Sequence, residues 1–383
     1  AILYGETDCI VIFLGTAMLC LVSGHLLKGK RPEDVTIFSA EGYVSVAVCW
    51  IVMSICGAIP LYFSGYFPNP VDALFEIVSG FTTTGATILN DVEILPRSVL
   101  MWRSFSHWIG GMGVLVFMLA LLPMAGASSM YLMRAESPGP SVGKLVPKVR
   151  STAKILYAIY FFMTVADLVL LVLAGCPLFD SVNLSFATAG TGGFGVLNSS
   201  AGEYNAVVQM ILTVFMILFG VNFNVYFLVY SKNIKDAFRC EEARIYLGII
   251  GVSILLITFN TISMFRGLGQ TFLHAAFQVA SIITTTGFST VDFELWPEFS
   301  RTILVILMFI GACAGSTGGG IKVSRVAIMA KTIVKELAVM KHPRNVRKTW
   351  FEGKPVEHEV LRSINVFLIA YLGIFILSVL VIS

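Results

Sequence analysis

The sequence predicts an all-α membrane protein built from repeated units, each a span, a short helix, a Thr/Gly loop and a second span. Three observations carry this. Of 383 residues, 56% are hydrophobic and 13% charged, whereas an ordinary soluble domain is about one-quarter charged; mean hydropathy is +0.84. Apolar runs of the ~20 residues that a helix needs to cross a bilayer recur along the chain. Between them lie three shorter apolar stretches with one shared Thr/Gly signature.

Eight spans are expected, at 9–27, 41–64, 99–123, 152–175, 205–230, 244–265, 300–340 (broken in the middle) and 362–383. The three shorter stretches fall near 71–90, 178–197 and 270–291. They are too short to cross and too apolar for surface loops, which is the profile of re-entrant segments. Lys and Arg orient the spans. Connections after spans one, three, five and seven, with the adjoining span ends, hold 22 of them, and the opposite side holds four: Arg97, Arg103, Arg266 and Arg301. The basic side is expected to be cytoplasmic, so all three re-entrant stretches face outward. A net charge of +3 is too small to indicate nucleic acid.

The re-entrant stretches align on one glycine each: Gly85 in TTTGAT, Gly192 in AGTGGFG and Gly287 in TTTGFST. Nine residues earlier come Glu76, Asn183 and Gln278. Just before the glycine come Thr83-Thr84, Gly190-Thr191 and Thr285-Thr286. A short helix entering the membrane points its C-terminal partial negative charge at the interior, which favours a cation there. The loop after it can leave the helical pattern only where its carbonyls line a water-filled path. Carbonyls from several such loops can replace a cation's hydration shell. Gly and Thr also serve simply to pack spans together; three aligned copies on one face argue against that reading.

The seventh span is interrupted by GACAGSTGGGIK, with five glycines between Gly311 and Gly320. Broken intramembrane helices expose backbone groups that need partners or water. Gly315, Gly318, Gly319, Gly320 and Lys322 are the candidate gate. Lys322 either acts in the ion path or snorkels to the cytoplasmic surface. Glu76 is expected to hydrogen-bond the loop backbone rather than touch the ion. His107 is read as a packing or interface residue, and Gly110, Gly111 and Gly113 as allowing close helix contact. Asp167, inside a span, is a coupling or structural group whose partner the sequence does not reveal. Gly190, Gly192 and Gly195 match a dinucleotide-binding pattern without its strand, and the run Gly315–Gly320 resembles a phosphate loop with one residue too many. Neither context fits. The seven cysteines show no metal spacing, and the five histidines form no nucleophile–base set. Neither an enzyme activity nor a bound cofactor is therefore expected.

VSGFTTTGAT, WRSFSHWIGGMGVLVFMLALLP, SFATAGTGGF, SIITTTGFST and GACAGSTGGGIK together resemble the membrane subunit of the Trk/Ktr/HKT potassium-transporter superfamily, nearest the bacterial Trk type. The resemblance implies a potassium-channel-like fold, four span–pore helix–filter loop–span repeats around a central pore, with K+ as the transported ion and GACAGSTGGGIK as a gate loop. It implies that glycine in the first filter loop, here Gly85, goes with K+ preference. It further implies a homodimer in a prokaryotic inner membrane, with a cytosolic nucleotide-binding regulatory subunit on the basic face. The first span resembles part of an extra N-terminal helical pair. The corresponding division is 1–40, then repeats at 41–150, 151–242 and 243–355, and a fourth repeat beginning at 356–383. Its filter glycine is expected 40–44 residues after Arg362, near 402–406, past Ser383, so the chain reads as a piece of a longer protein. A Na+- or H+-coupled secondary transporter also breaks its helices near the midplane and is the alternative; same-side loops favour the pore.

Overall fold

Nearly every element is helical. The computed structural model describes residues 1–29, 39–113, 149–342 and 348–383. In chain order these form α1 (Thr7–Leu26), α2 (Ser39–Phe63), α3 (Pro70–Phe81), α4 (Arg97–Gly111), α5 (Val149–Leu173), α6 (Leu178–Ala189), α7 (Ala206–Phe219), α8 (Phe223–Tyr230), α9 (Ile234–Arg239), α10 (Glu241–Thr261), α11 (Leu268–Ile283), α12 (Glu298–Ile310), α13 (Val323–Lys341) and α14 (His358–Ile382). A hairpin of β1 (Trp350–Phe351) and β2 (Lys354–Pro355) joins the last two helices.

One unit is repeated three times. Helices α2–α4 form the first copy, α5–α7 the second and α10–α12 the third. In each, the short middle helix packs against the span before it and the span after it. The exiting span also packs on the short helix of the next copy, α4 on α6 and α7 on α11. The copies are thereby joined side by side in chain order. Apolar clusters fill their seams with buried polar residues among them, and large apolar side chains such as Phe162, Leu173, Phe259 and Leu380 face outward, as a hydrocarbon surrounding allows.

Five described helices are long and apolar enough to cross a membrane, or six if α7 and α8 count as one bent span. The sequence predicts eight spans, and the difference has two sources. Residues 114–123 of the third lie outside the described residues. The seventh is divided into α12 and α13, neither of which qualifies alone.

The expected continuous span at 205–230 is corrected. It breaks between Phe219 and Phe223, and the two helices bend by 88°. The Asn222 side chain caps α8, accepting the Asn224 N–H at 2.9 Å, which is a helix-start signal. Carbonyls freed at the end of α7 find other donors. Leu218 accepts the Tyr226 hydroxyl at 2.6 Å, Phe219 the Thr317 hydroxyl at 3.2 Å, and Gly220 the Cys313 N–H at 3.1 Å. Backbone can break at membrane depth only when such partners are supplied.

Candidate functional site: three converging loops and a broken span

Backbone geometry places the three Thr/Gly loops in register. Thr83, Thr191 and Thr285 are left-handed, at φ 54°, 52° and 60°, and the glycines two residues later, Gly85, Gly193 and Gly287, are left-handed at 76°, 80° and 92°. The N–H groups between them reach back five residues to the short helix: Thr84 to Ser79, Gly192 to Ala187 and Thr286 to Ser281, each 2.9 Å. The alignment on Gly192 is therefore off by one. Gly193 is the counterpart of Gly85 and Gly287, and Gly192 is the counterpart of Thr84 and Thr286. The shift also separates the polar set, because Leu184, not Asn183, stands where Glu76 and Gln278 stand. A left-handed β-branched residue is strained by about 1–3 kcal/mol, and here the strain recurs at one position in all three loops.

The loops touch one another. A Cβ on Gly85 would overlap the Gly192 carbonyl oxygen, and one on Gly193 would overlap that of Thr286. Each of these glycines thus lies against the carbonyl of the following loop, and both are left-handed, so a side chain is excluded twice over. Thr82 and Thr84 share a hydroxyl contact at 2.8 Å, as Thr284 and Thr286 do at 2.7 Å.

His107 explains why the second loop has Gly-Thr-Gly where the others have Thr-Thr-Thr. It is fully buried on α4. A Cβ on Gly190 would meet its carbonyl, and one on Gly192 would meet its ring. The ring also stacks on Phe194, with centroids 4.2 Å apart, and neither ring nitrogen has a partner among the described residues. His107 therefore packs behind the loop rather than at an interface. Gly110 and Gly111 approach Phe81 and Gly190 closely, consistent with the expected close helix contact.

Glu76 does bond the backbone of its loop, accepting the Ile88 N–H at 3.3 Å and the Thr87 hydroxyl at 2.9 Å. Its stronger partner is Arg103, 2.7 Å away and equally buried. Arg103, counted with the outer-side basic residues at the start of the third span, is thus an interior residue. Its guanidinium lies over the Phe194 ring at 4.1 Å and so joins the first loop to the second. A charge taken out of water needs such a partner. That requirement is the one signal in the sequence for this pair. Past the loops, the Asn198 amide donates to Asp91 at 2.8 Å and accepts the Val92 N–H at 2.8 Å. The bond from Asn198, with one from the Glu93 N–H, holds the Asp91 carboxyl below its usual value.

Residues 311–322 form a folded loop between α12 and α13. Lys322 N–H donates to Ile310 at 3.0 Å and Val323 N–H to Ala312 at 3.0 Å, closing its base. The Phe223 N–H donates to Gly315 at 2.9 Å, docking the loop on the break between α7 and α8. The Gly319 N–H donates to the Thr285 hydroxyl at 2.7 Å, and a Cβ on Gly318 would lie 2.8 Å from the Thr284 carbonyl oxygen. Gly315, Gly318, Gly319, Gly320 and Lys322 therefore share one loop, and that loop touches the third Thr/Gly loop. Lys322 does not snorkel. It is buried, left-handed at φ 84°, and its ammonium donates to the Gly318 carbonyl of its own loop.

Glu242 escapes sequence reasoning. It looks like an ordinary acidic first turn, yet its buried carboxylate accepts the Ala314 N–H at 2.7 Å and the Ser324 N–H at 3.1 Å. Asp167 is fully buried on α5, and its carboxylate oxygens have no hydrogen-bond partner among the described residues.

The family model for the TrkH cation transport protein matches residues 10–265 and 261–383. This chain belongs to the TrkH family. It is 37% identical over 382 residues to the Trk system potassium uptake protein TrkH of Salmonella typhimurium, covering 97% of this chain and 78% of that protein. It is 34% identical over 378 residues to the Trk system potassium uptake protein TrkG of Escherichia coli K12, with the same coverage. The crystal structure of the potassium transporter TrkH from Vibrio parahaemolyticus superposes with a TM-score of 0.86 at 31% identity, over 98% of this chain and 79% of that one. As a TrkH-family chain it is a multi-pass membrane transport protein and not an enzyme.

Proposed function

We propose that this chain carries K+ across the cell membrane through a gated pore, as the membrane subunit of a Trk-type uptake system. Residues Thr83–Gly85, Gly190–Gly193 and Thr285–Gly287 are its filter. The observation that carries this reading is the interlock of three loops at one register, glycine against carbonyl, at the ends of three short helices. Left-handed backbone at every second residue takes each loop out of the helical pattern, and carbonyls freed in this way can replace a cation's hydration shell. The relatives' names, potassium uptake proteins of a Trk system, support K+ as the ion.

The loop with Gly315, Gly318, Gly319, Gly320 and Lys322 is the gate in this proposal. Its contacts with Thr284 and Thr285 support that role, since movement there reaches the filter directly. Leaving out the buried Lys322 and Arg103, 21 basic residues against three support an orientation with the filter loops outside, in the inner membrane. A homodimer with a cytosolic nucleotide-binding regulatory subunit completes the proposed assembly.

The complete gene is expressed in cells that lack their own K+ uptake, and growth at low K+ is measured beside membrane abundance. Wild type restores growth. Gly193→Ala, whose Cβ would overlap the Thr286 carbonyl, reaches the membrane and does not. Growth of Gly193→Ala equal to wild type contradicts the filter assignment.

A further inference from the structure

The hairpin between α13 and α14 ends on a carboxylate that does not belong in its turn. Trp350 pairs with Pro355 and Phe351 with Lys354, leaving a two-residue turn of Glu352 and Gly353. Both are left-handed, at φ 51° and 71°. Such turns favour Asn, Asp or Gly at the first position, and a glutamate there is strained. The strain has a local explanation in the side chain. Glu352 Oε1 accepts the Glu242 N–H at 2.9 Å and the Cys240 thiol at 3.3 Å, which caps the start of α10. In return the Glu352 N–H donates to Glu241 at 3.2 Å. Lys331 on α13 closes the ring of contacts, bonding the Glu241 carboxylate and the Trp350 carbonyl, the latter at 2.9 Å.

The residue whose N–H Glu352 holds is the one whose side chain holds the broken span. Glu242 Oε1 takes the Ala314 N–H, inside the 311–322 loop, and the Ser324 N–H, in the first turn of α13. Its other oxygen takes the Asn222 amide at 3.2 Å, at the break between α7 and α8. One carboxylate therefore fastens both broken spans where they meet. Hydrogen bonds to a charged acceptor are about twice as strong as neutral ones. Removing such an acceptor leaves buried N–H groups without a partner.

We infer that Glu352 and Glu242 form a two-carboxylate latch, in which the hairpin holds the start of α10 and α10 holds the 311–322 loop shut. Displacement of the hairpin from the protein's surface then frees the loop. Both are positioning residues: they act on the ion path through the loop and do not touch the ion. The inference rests on the proposed role of that loop as the gate, and it assigns the control of that gate to a surface element that a partner can reach.

Cys313 is a native reporter, since it sits fully buried within the loop. The protein from the complete gene is placed in liposomes. Alkylation of Cys313 by a small neutral maleimide is followed by peptide mapping, which separates it from the other six cysteines. K+ flux and thermal midpoint are measured on the same samples. Glu352→Gly relieves the left-handed strain and removes the carboxylate; Glu242→Gln leaves the strain and weakens the acceptor. Both are expected to raise Cys313 alkylation and basal K+ flux by about tenfold, the scale of one lost charge-assisted hydrogen bond. Glu352→Gly does so with a midpoint no lower than wild type. Wild-type alkylation and flux in Glu352→Gly overturn the latch, because a purely structural glutamate moves neither. Removal of Gly318–Gly320 is the separate control. If that leaves flux unchanged, the gate reading falls, while the alkylation rate still reports whether the hairpin holds the loop.

Discussion

Register is decided by single residues. On sequence alone Gly192 and Gly193 are equivalent choices, since both follow Thr191 and either can be matched to Gly85. The deciding quantity is the sign of φ at Thr191 and Gly193, which depends on what lies behind the loop. His107 lies there. It belongs to the preceding repeat, far earlier in the chain, and stands in no pattern that a one-dimensional alignment can use. Position 190 is a glycine because the His107 carbonyl fills the space that a side chain there would need. Gly192 and Gly193 consequently fail for different reasons when replaced. Gly192→Ala meets the His107 ring, a side chain, and costs about 1–3 kcal/mol as overpacking. Gly193→Ala meets the Thr286 carbonyl with a left-handed backbone. Adding His107→Ala should restore K+ uptake to Gly192→Ala at least in part, and should restore nothing to Gly193→Ala. Uptake rates at equal membrane abundance check this, and equal behaviour of the two pairs contradicts the register. Glu76 is legible as a loop-bonding residue, while its partner Arg103 is concealed among the outer basic residues because burial is not written in residue type.

Elements are legible to the extent that apolar length announces them. The three short helices fall where short apolar runs place them, and the break in the seventh span follows from its glycines. The break between α7 and α8 is hidden because Gly220, Val221 and Asn222 interrupt an otherwise continuous apolar run too briefly to register. What creates it is tertiary: the 311–322 loop supplies donors to carbonyls that a straight helix would use itself. The same loop bonds Thr285 through the Gly319 N–H at 2.7 Å. Thr285→Val keeps the β-branched shape and deletes the acceptor. A net loss of about 1 kcal/mol predicts a several-fold rise in basal K+ flux in liposomes. Flux equal to wild type removes this contact from the account of gating.

At the scale of the molecule, hydropathy and the repeat are sufficient to indicate a multi-pass protein of chained pore units, and motif resemblance to indicate its family. Coupling between units is not legible, because it runs through carbonyl-to-glycine contacts and through carboxylates such as Glu242 whose targets are backbone groups far along the chain. Selectivity is the property that depends on all of these contacts together. Gly85 lies against the Gly192 carbonyl, so a side chain there disturbs the carbonyl cage where two loops meet. The most direct test is the ratio of K+ to Na+ flux in liposomes holding the protein from the complete gene, wild type against Gly85→Ser. K+ preference is expected in wild type, with a ratio lowered by about tenfold, ~1.4 kcal/mol, in Gly85→Ser. An unchanged ratio in a folded, conducting Gly85→Ser protein would contradict the claim that these loops select the ion.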